Sequence, residues 1–212
     1  LVAQHLEQYR HATYEPADYF EEGLRRDPTD IRLNNGYGLL LLKRGHFEKA
    51  REHFEKAIEK QTWKNPNPYY GESYFNLGLA LRFLGEDEKA FDAFYKSTWS
   101  METQSGGFYQ LAALSCKKRL YSQALEFIDK SLIYNWHNMN ARTLKAAILR
   151  ALERDTKSFL AESLEIDPLS MGCLYENAKA ENDMDAWVNV MRSPSHNYLE
   201  LSLLYMKAGF YQ

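Results

Sequence analysis

Residues 31–60 read IRLNNGYGLLLLKRGHFEKAREHFEKAIEK and residues 71–100 read GESYFNLGLALRFLGEDEKAFDAFYKSTWS, and laying one over the other decides the fold. Gly38, Gly45, Ala50, Phe54 and Ala57 stand at positions 8, 15, 20, 24 and 27 of the first stretch. Gly78, Gly85, Ala90 and Phe94 stand at positions 8, 15, 20 and 24 of the second, with Ser97 at position 27. Small residues at 8 and 20 let two helices approach closely, and phenylalanine at 24 fills the space between neighbouring hairpins. One helical hairpin is therefore written twice.

Outward from this pair the register continues in both directions. Upstream, Leu6 and Tyr9 mark a helix over residues 1–12, and Glu15 with Pro16 starts a second that carries Phe20 and Leu24 and stops at Asp27 and Pro28. Downstream, Ala112, Tyr121 and Ala124 hold positions 8, 17 and 20 of a fourth hairpin, and Ala146 holds position 8 of a fifth that ends early at Pro168. A shorter sixth pair follows, and Ser193 with Pro194 caps a last helix carrying Tyr198, Leu201, Tyr205 and Gly209. The expected hairpins lie near 1–28, 31–61, 71–101, 104–135, 138–168 and 170–192, with a half repeat over 195–212. The spacing predicts an all-α, right-handed superhelical solenoid of antiparallel hairpins with about 13 helices, one continuous array over 1–212 and a piece of a longer one.

The stacked hairpins resemble the tetratricopeptide repeat. Gly38 and Gly78 are 40 residues apart, whereas about 34 is usual for that repeat. The extra residues fall in the loop Thr62–Tyr70, where Pro66 and Pro68 forbid helix and favour an extended backbone. Two readings of the loop stand: a spacer with Trp63 and Tyr69 tucked against the next hairpin, or a loop that touches ligand. Further phrases, Arg10 to Thr13, Asn65 to Pro68 with Gly71 and Glu72, Phe94 to Lys96 with Thr98 and Trp99, and Arg192 through Tyr198 to Gly209, are similar to a bacterial group. That group carries such arrays behind a β-sandwich domain of unknown function, so the resemblance implies the helical part of a larger, carbohydrate-related protein.

Composition closes off several function classes. A net charge of −3 with both signs interleaved gives no footprint for nucleic acid or anionic membrane. The apolar run Tyr37–Leu42 is far short of a membrane span. Cys116 and Cys173 are too few and too distant for a disulfide framework or a four-ligand metal site. The spacings of serine hydrolases, zinc proteases, P-loops and EF-hands are missing, and His46 and His53 have no carboxylate to complete a site. No catalytic residue, cofactor or metal is expected. The cytoplasm is the expected location, with export open for a piece of a longer protein.

What remains is recognition. In the repeats this chain resembles, positions 2, 5, 6, 9, 12 and 13 of the first helix line a concave groove. Here they include Arg32, Asn35, Leu39, Leu42 and Lys43, then Glu72, Phe75, Asn76, Leu79 and Arg82, then Tyr109, Gln110 and Lys117, and finally Asn140, Thr143 and Arg150. Of the residues with which chaperone-binding members grip a terminal carboxylate, only Asn76 is kept, so that clamp is not expected. The candidate ligand-binding set is Arg32, Asn35, Tyr70, Glu72, Phe75, Asn76, Arg82, Tyr109 and Gln110. The expected function is a non-catalytic scaffold binding a protein or peptide segment. The alternative is the helical wall of a sugar-binding or carbohydrate-processing protein, with Tyr69, Tyr70, Glu72 and Arg82 reaching a sugar held by the sandwich. Self-association is expected through the last helix, with Leu201, Leu204 and Tyr205 turned toward a partner helix.

Overall fold

The computed structural model describes every residue except Leu1, Arg10, His11, Ala12, Pro68, Ser193 and Gln212. Among the described residues there are 13 α-helices and no strand. Part of the predicted first helix, most of the Arg10–Thr13 phrase, the second loop proline and the Ser193 cap fall on residues outside that description. The chain divides into two compact units, Leu1–Thr103 and Gln104–Gln212.

The first unit holds α1 (Val2–Gln8), α2 (Pro16–Arg26), α3 (Ile31–Lys43), α4 (Phe47–Thr62), α5 (Glu72–Phe83) and α6 (Asp87–Ser97). Asp30 starts α3 by accepting the Leu33 N–H at 2.7 Å, satisfying one of the donors a helix start leaves free. The helix ends in a left-handed residue, Gly45 at φ +80, with the His46 N–H returned to the Leu41 carbonyl at 2.9 Å. Gly85 repeats the turn between α5 and α6 at φ +77. The close-packing glycines act as the spacing requires: a Cβ on Gly38 would lie 2.7 Å from the Phe54 ring, and one on Gly78 2.6 Å from the Phe94 ring. Phe54 also clusters with Ala80 of the next hairpin, so the ring at position 24 fills both spaces.

The second unit holds α7 (Gln104–Lys117), α8 (Tyr121–Tyr134), α9 (Met139–Ala151), α10 (Lys157–Ile166), α11 (Met171–Glu181), α12 (Met184–Met191) and α13 (Ser195–Lys207). Its hairpin turns use the same left-handed residue at position 15, but Arg119 (φ +59) and Glu153 (φ +55) occupy it instead of glycine. Within the fifth hairpin Arg142 is fully buried. Its guanidinium donates to Ser163 Oγ at 2.8 Å and Glu162 Oε1 at 2.9 Å, and sits over the rings of Trp136 and Phe159 at 4.6 and 4.7 Å. The charge is thus paired, hydrogen-bonded and stacked, which is what a buried guanidinium needs.

The last helix corrects the sequence reading. Tyr205, expected to face a missing partner, is buried against its own unit, and Leu201 packs with Tyr198 on the cluster of Ala178, Trp187 and Met191. The exposed apolar side of α13 is Leu199, Leu203 and Met206. The reason lies in its far end: Gly209 lies on α7, where a Cβ would come within 2.8 Å of the Lys117 Cα, and Phe210 stacks on Tyr121 at 5.9 Å.

Candidate functional site

In the first unit the first helices of successive hairpins, α3 and α5, lie side by side. They are joined by a side-chain amide pair, Asn76 Nδ2 donating to Asn35 Oδ1 at 3.1 Å. Both amides are buried, at 4% and 8% exposure. They meet each other rather than open solvent, so Asn76→Ala strands a buried amide and is expected to cost about 1–3 kcal/mol of stability, read by thermal melting. Around the pair, Arg32 and Glu72 are exposed, Arg82 is half-buried, and the half-buried Phe75 ring stands edge-on to Phe94 at 5.6 Å. Tyr109 and Gln110 lie on α7 of the second unit, both half-buried.

The loop before α5 is held at several points. The Asn67 N–H donates to Asn65 Oδ1 at 3.0 Å, Lys96 Nζ to Asn67 Oδ1 at 2.7 Å, and Gln61 Nε2 to the Tyr70 carbonyl at 2.5 Å. Gly71 closes it where no side chain fits, since a Cβ would come within 2.4 Å of Thr103 Oγ1. Tyr69 and Tyr70 meet edge-on at 5.1 Å and remain 82% and 63% exposed, and Trp63 is 72% exposed. The tucked positions imagined for Trp63 and Tyr69 are therefore not what the loop adopts. Instead Lys60 and Lys64 lie over the Trp63 ring at 5.0 and 5.6 Å, and Lys96 over Trp99 at 3.8 Å. Trp63 also walls a cleft of about 560 Å³ with Pro28, Thr29, Lys56, Glu59 and Lys60. The cation and ring pattern has a local sequence signal, a lysine three residues before each tryptophan and another directly after Trp63.

His53 has a structural partner: its Nδ1 lies 2.9 Å from Asn34 Oδ1, while Asn34 Nδ2 donates to the Pro28 and Asp30 carbonyls at 2.9 Å each. Burial, then the nearby Lys56 charge, lowers the His53 pKa. Among the described residues no three His, Cys, Asp or Glu side chains converge as a metal site would need, and no helix is long and apolar enough to cross a membrane. The first unit thus sets lysines beside exposed rings and fixes α3 to α5 through buried amides.

The second unit treats the equivalent face differently. Arg150, at a groove position of α9, makes a two-pronged ion pair with the buried Glu176 of α11, at 2.8 and 3.1 Å. Tyr205 of α13 donates its hydroxyl to Glu176 Oε1 at 2.5 Å. Burial and the Glu176 charge push the Tyr205 phenol far upward, and the bond to Glu176 raises the Arg150 guanidinium. Sequence reasoning missed this triad because its members lie on three helices, two of them in the weakly patterned end of the chain.

Comparison with known proteins bears on the whole. The tetratricopeptide repeat family matches residues 29–98, the two hairpins of α3 to α6. An uncharacterized protein of Methanocaldococcus jannaschii is 42% identical over 59 residues, 28% of this chain and 62% of its own length. The type IV pilus assembly protein PilF of Pseudomonas aeruginosa is 26% identical over 164 residues, 76% of this chain and 63% of its own length. The chain thus spans less than two thirds of these curated relatives. The solved structure of Pseudomonas aeruginosa PilF superposes with a TM-score of 0.71 at 19% identity, covering 97% of this chain and 89% of that one. YrrB, a TPR protein with an unusual peptide-binding site, superposes with a TM-score of 0.59 at 18% identity, covering 91% and 96%. At such identities the superpositions show the fold alone.

Proposed function

We propose that this chain, whose residues 29–98 are tetratricopeptide repeats and whose fold is that of a tetratricopeptide-repeat array, is a non-catalytic scaffold that binds a protein or peptide segment along the α3–α5 face of its first unit. Repeats of this kind generally present a concave surface to a partner. The observation that carries the reading is the division of labour on that face. Asn35 and Asn76 are consumed in fixing α3 to α5, which leaves Arg32, Glu72 and the tethered Tyr70 exposed beside them. A peptide there meets one charge of each sign and an aromatic ring held by a braced loop, so little ordering entropy is lost on binding. The likeness to YrrB in fold supports a peptide as ligand without fixing its place.

The exposed rings of Trp63, Tyr69 and Tyr70 favour a second reading, a sugar stacked at the loop. One experiment separates the two. A peptide selected from a random displayed library on this chain, and a panel of oligosaccharides, are titrated against the wild type, Arg32→Ala, Glu72→Ala and Tyr70→Ala. All three side chains are exposed, so melting temperatures are expected to hold. Loss of about 1–3 kcal/mol of peptide affinity in at least two variants supports the scaffold reading. Oligosaccharide binding that fails only in Tyr70→Ala supports the sugar. Wild-type affinity for the peptide in all three variants removes the α3–α5 face from the site.

A further inference from the structure

The second unit contains a groove that already has an occupant. Lys117, Arg150, Tyr175 and Glu176 lie on its first helices α7, α9 and α11, and α13 packs against α7 and α11, reaching the acid that Arg150 of α9 holds. Tyr205 reaches Glu176 and stands edge-on to Tyr175 at 5.4 Å, while Gly209 rests on Lys117 and Phe210 stacks on Tyr121. We propose that this groove is a binding site for a helical segment carrying a tyrosine followed four and five residues on by a glycine and an aromatic residue, and that α13 keeps it shut by binding there itself.

Two independent observations support a displaceable occupant. The ion pair beneath Tyr205 is complete without the phenol, because both bonds of Glu176 to Arg150 are made independently of it, and the apolar cover that α13 adds comes from Tyr198 and Leu201 on Ala178, Trp187 and Met191. The charges are therefore not stranded by opening. Separately, the chain enters α13 through Arg192 at φ +57 and ψ −147, a region that glycine alone occupies readily. Backbone strain of this kind persists only where the packing on either side imposes it. A competing helix of the same pattern needs only to exceed the affinity of α13 for the open groove. The site is separate from the α3–α5 face, and its failure would leave that reading untouched.

The test uses the full chain and a fluorescently labelled peptide of residues 195–211 as probe. Gly209→Val cannot keep the latch, because residue 209 sits at φ +78 and a Cβ there meets the Lys117 backbone. The variant is expected to exchange its amides over residues 205–210 faster than wild type, with α9 and α11 unchanged. It is also expected to bind the probe about tenfold or more tighter, since the competent state is then populated. Adding Glu176→Gln to this variant is expected to weaken the probe again, through the phenol bond. Three results overturn the proposal: an end that exchanges as in wild type, an end that is freed without any gain in probe binding, or loosening of α9 and α11 together with α13. The last would make α13 an integral part of the core.

Discussion

The two units build the same hairpin with different residues at the turn and leave the same face in different states. In the first, Gly45 and Gly85 take the left-handed position between helices; in the second, Arg119 and Glu153 take it and bear the strain. In the first, buried amides join α3 to α5 beneath exposed Arg32 and Glu72; in the second, an ion pair joins α9 to α11 and Tyr205 of α13 covers it. The repeat thus constrains packing between helices tightly and constrains the groove hardly at all. One array can carry both an open face and a filled one.

The largest expected effect breaks what the units share. Phe94 is fully buried against Gly78, so Phe94→Ala is expected to cost about 3–5 kcal/mol of stability in urea denaturation. Next comes what is particular to the second unit. Glu176→Ala leaves Arg150 and the Tyr205 hydroxyl without their acceptor. The cost is expected to be about 2–3 kcal/mol in the same assay, less than for a fully buried pair because the Arg150 side chain keeps 37% of its surface in water.

How much of this was legible follows from the range over which each residue acts. The hairpins were readable because Gly38 and Phe54, or Gly78 and Phe94, lie 16 residues apart and recur in register. The Asn35–Asn76 pair was half readable: both residues were assigned to the groove, but that they would satisfy each other depends on how closely α3 approaches α5. The docking of α13 was not readable, since Gly209 and Lys117 are separated by 92 residues and nothing local marks the contact. For the same reason the wrong side of the last helix was assigned to a partner: helical spacing gives an apolar side, and tertiary contact decides which one is covered.

Smaller effects sharpen the comparison. Replacing Arg119 or Glu153 by glycine is expected to raise stability by about 0.5–1 kcal/mol each, the left-handed penalty less the added chain entropy of glycine. Gly45→Ala or Gly85→Ala is expected to cost about 1–2 kcal/mol, and thermal melting of all four variants checks the sign. Cys116 and Cys173 both lie buried in the second unit and report on it alone. Burial pushes the Cys116 thiol from 9.0 up to about 12. The unfolded chain therefore loses that proton first, and the contribution of Cys116, complete below pH 9, is expected to fade as pH rises toward 12. Thiol labelling near pH 8 is expected to be slow in the folded chain and fast in urea.

The claim that the second unit fills its own groove is tested most directly by hydrogen exchange along the wild-type chain. If α13 is a displaceable occupant, the amides of Leu201–Ala208 exchange far more slowly than a free peptide, because Tyr205 on Glu176 and Gly209 on α7 hold the helix, but faster than those of α11 beneath it. Exchange of Leu201–Ala208 at the rate of a free peptide, with α9 and α11 still protected, would contradict it.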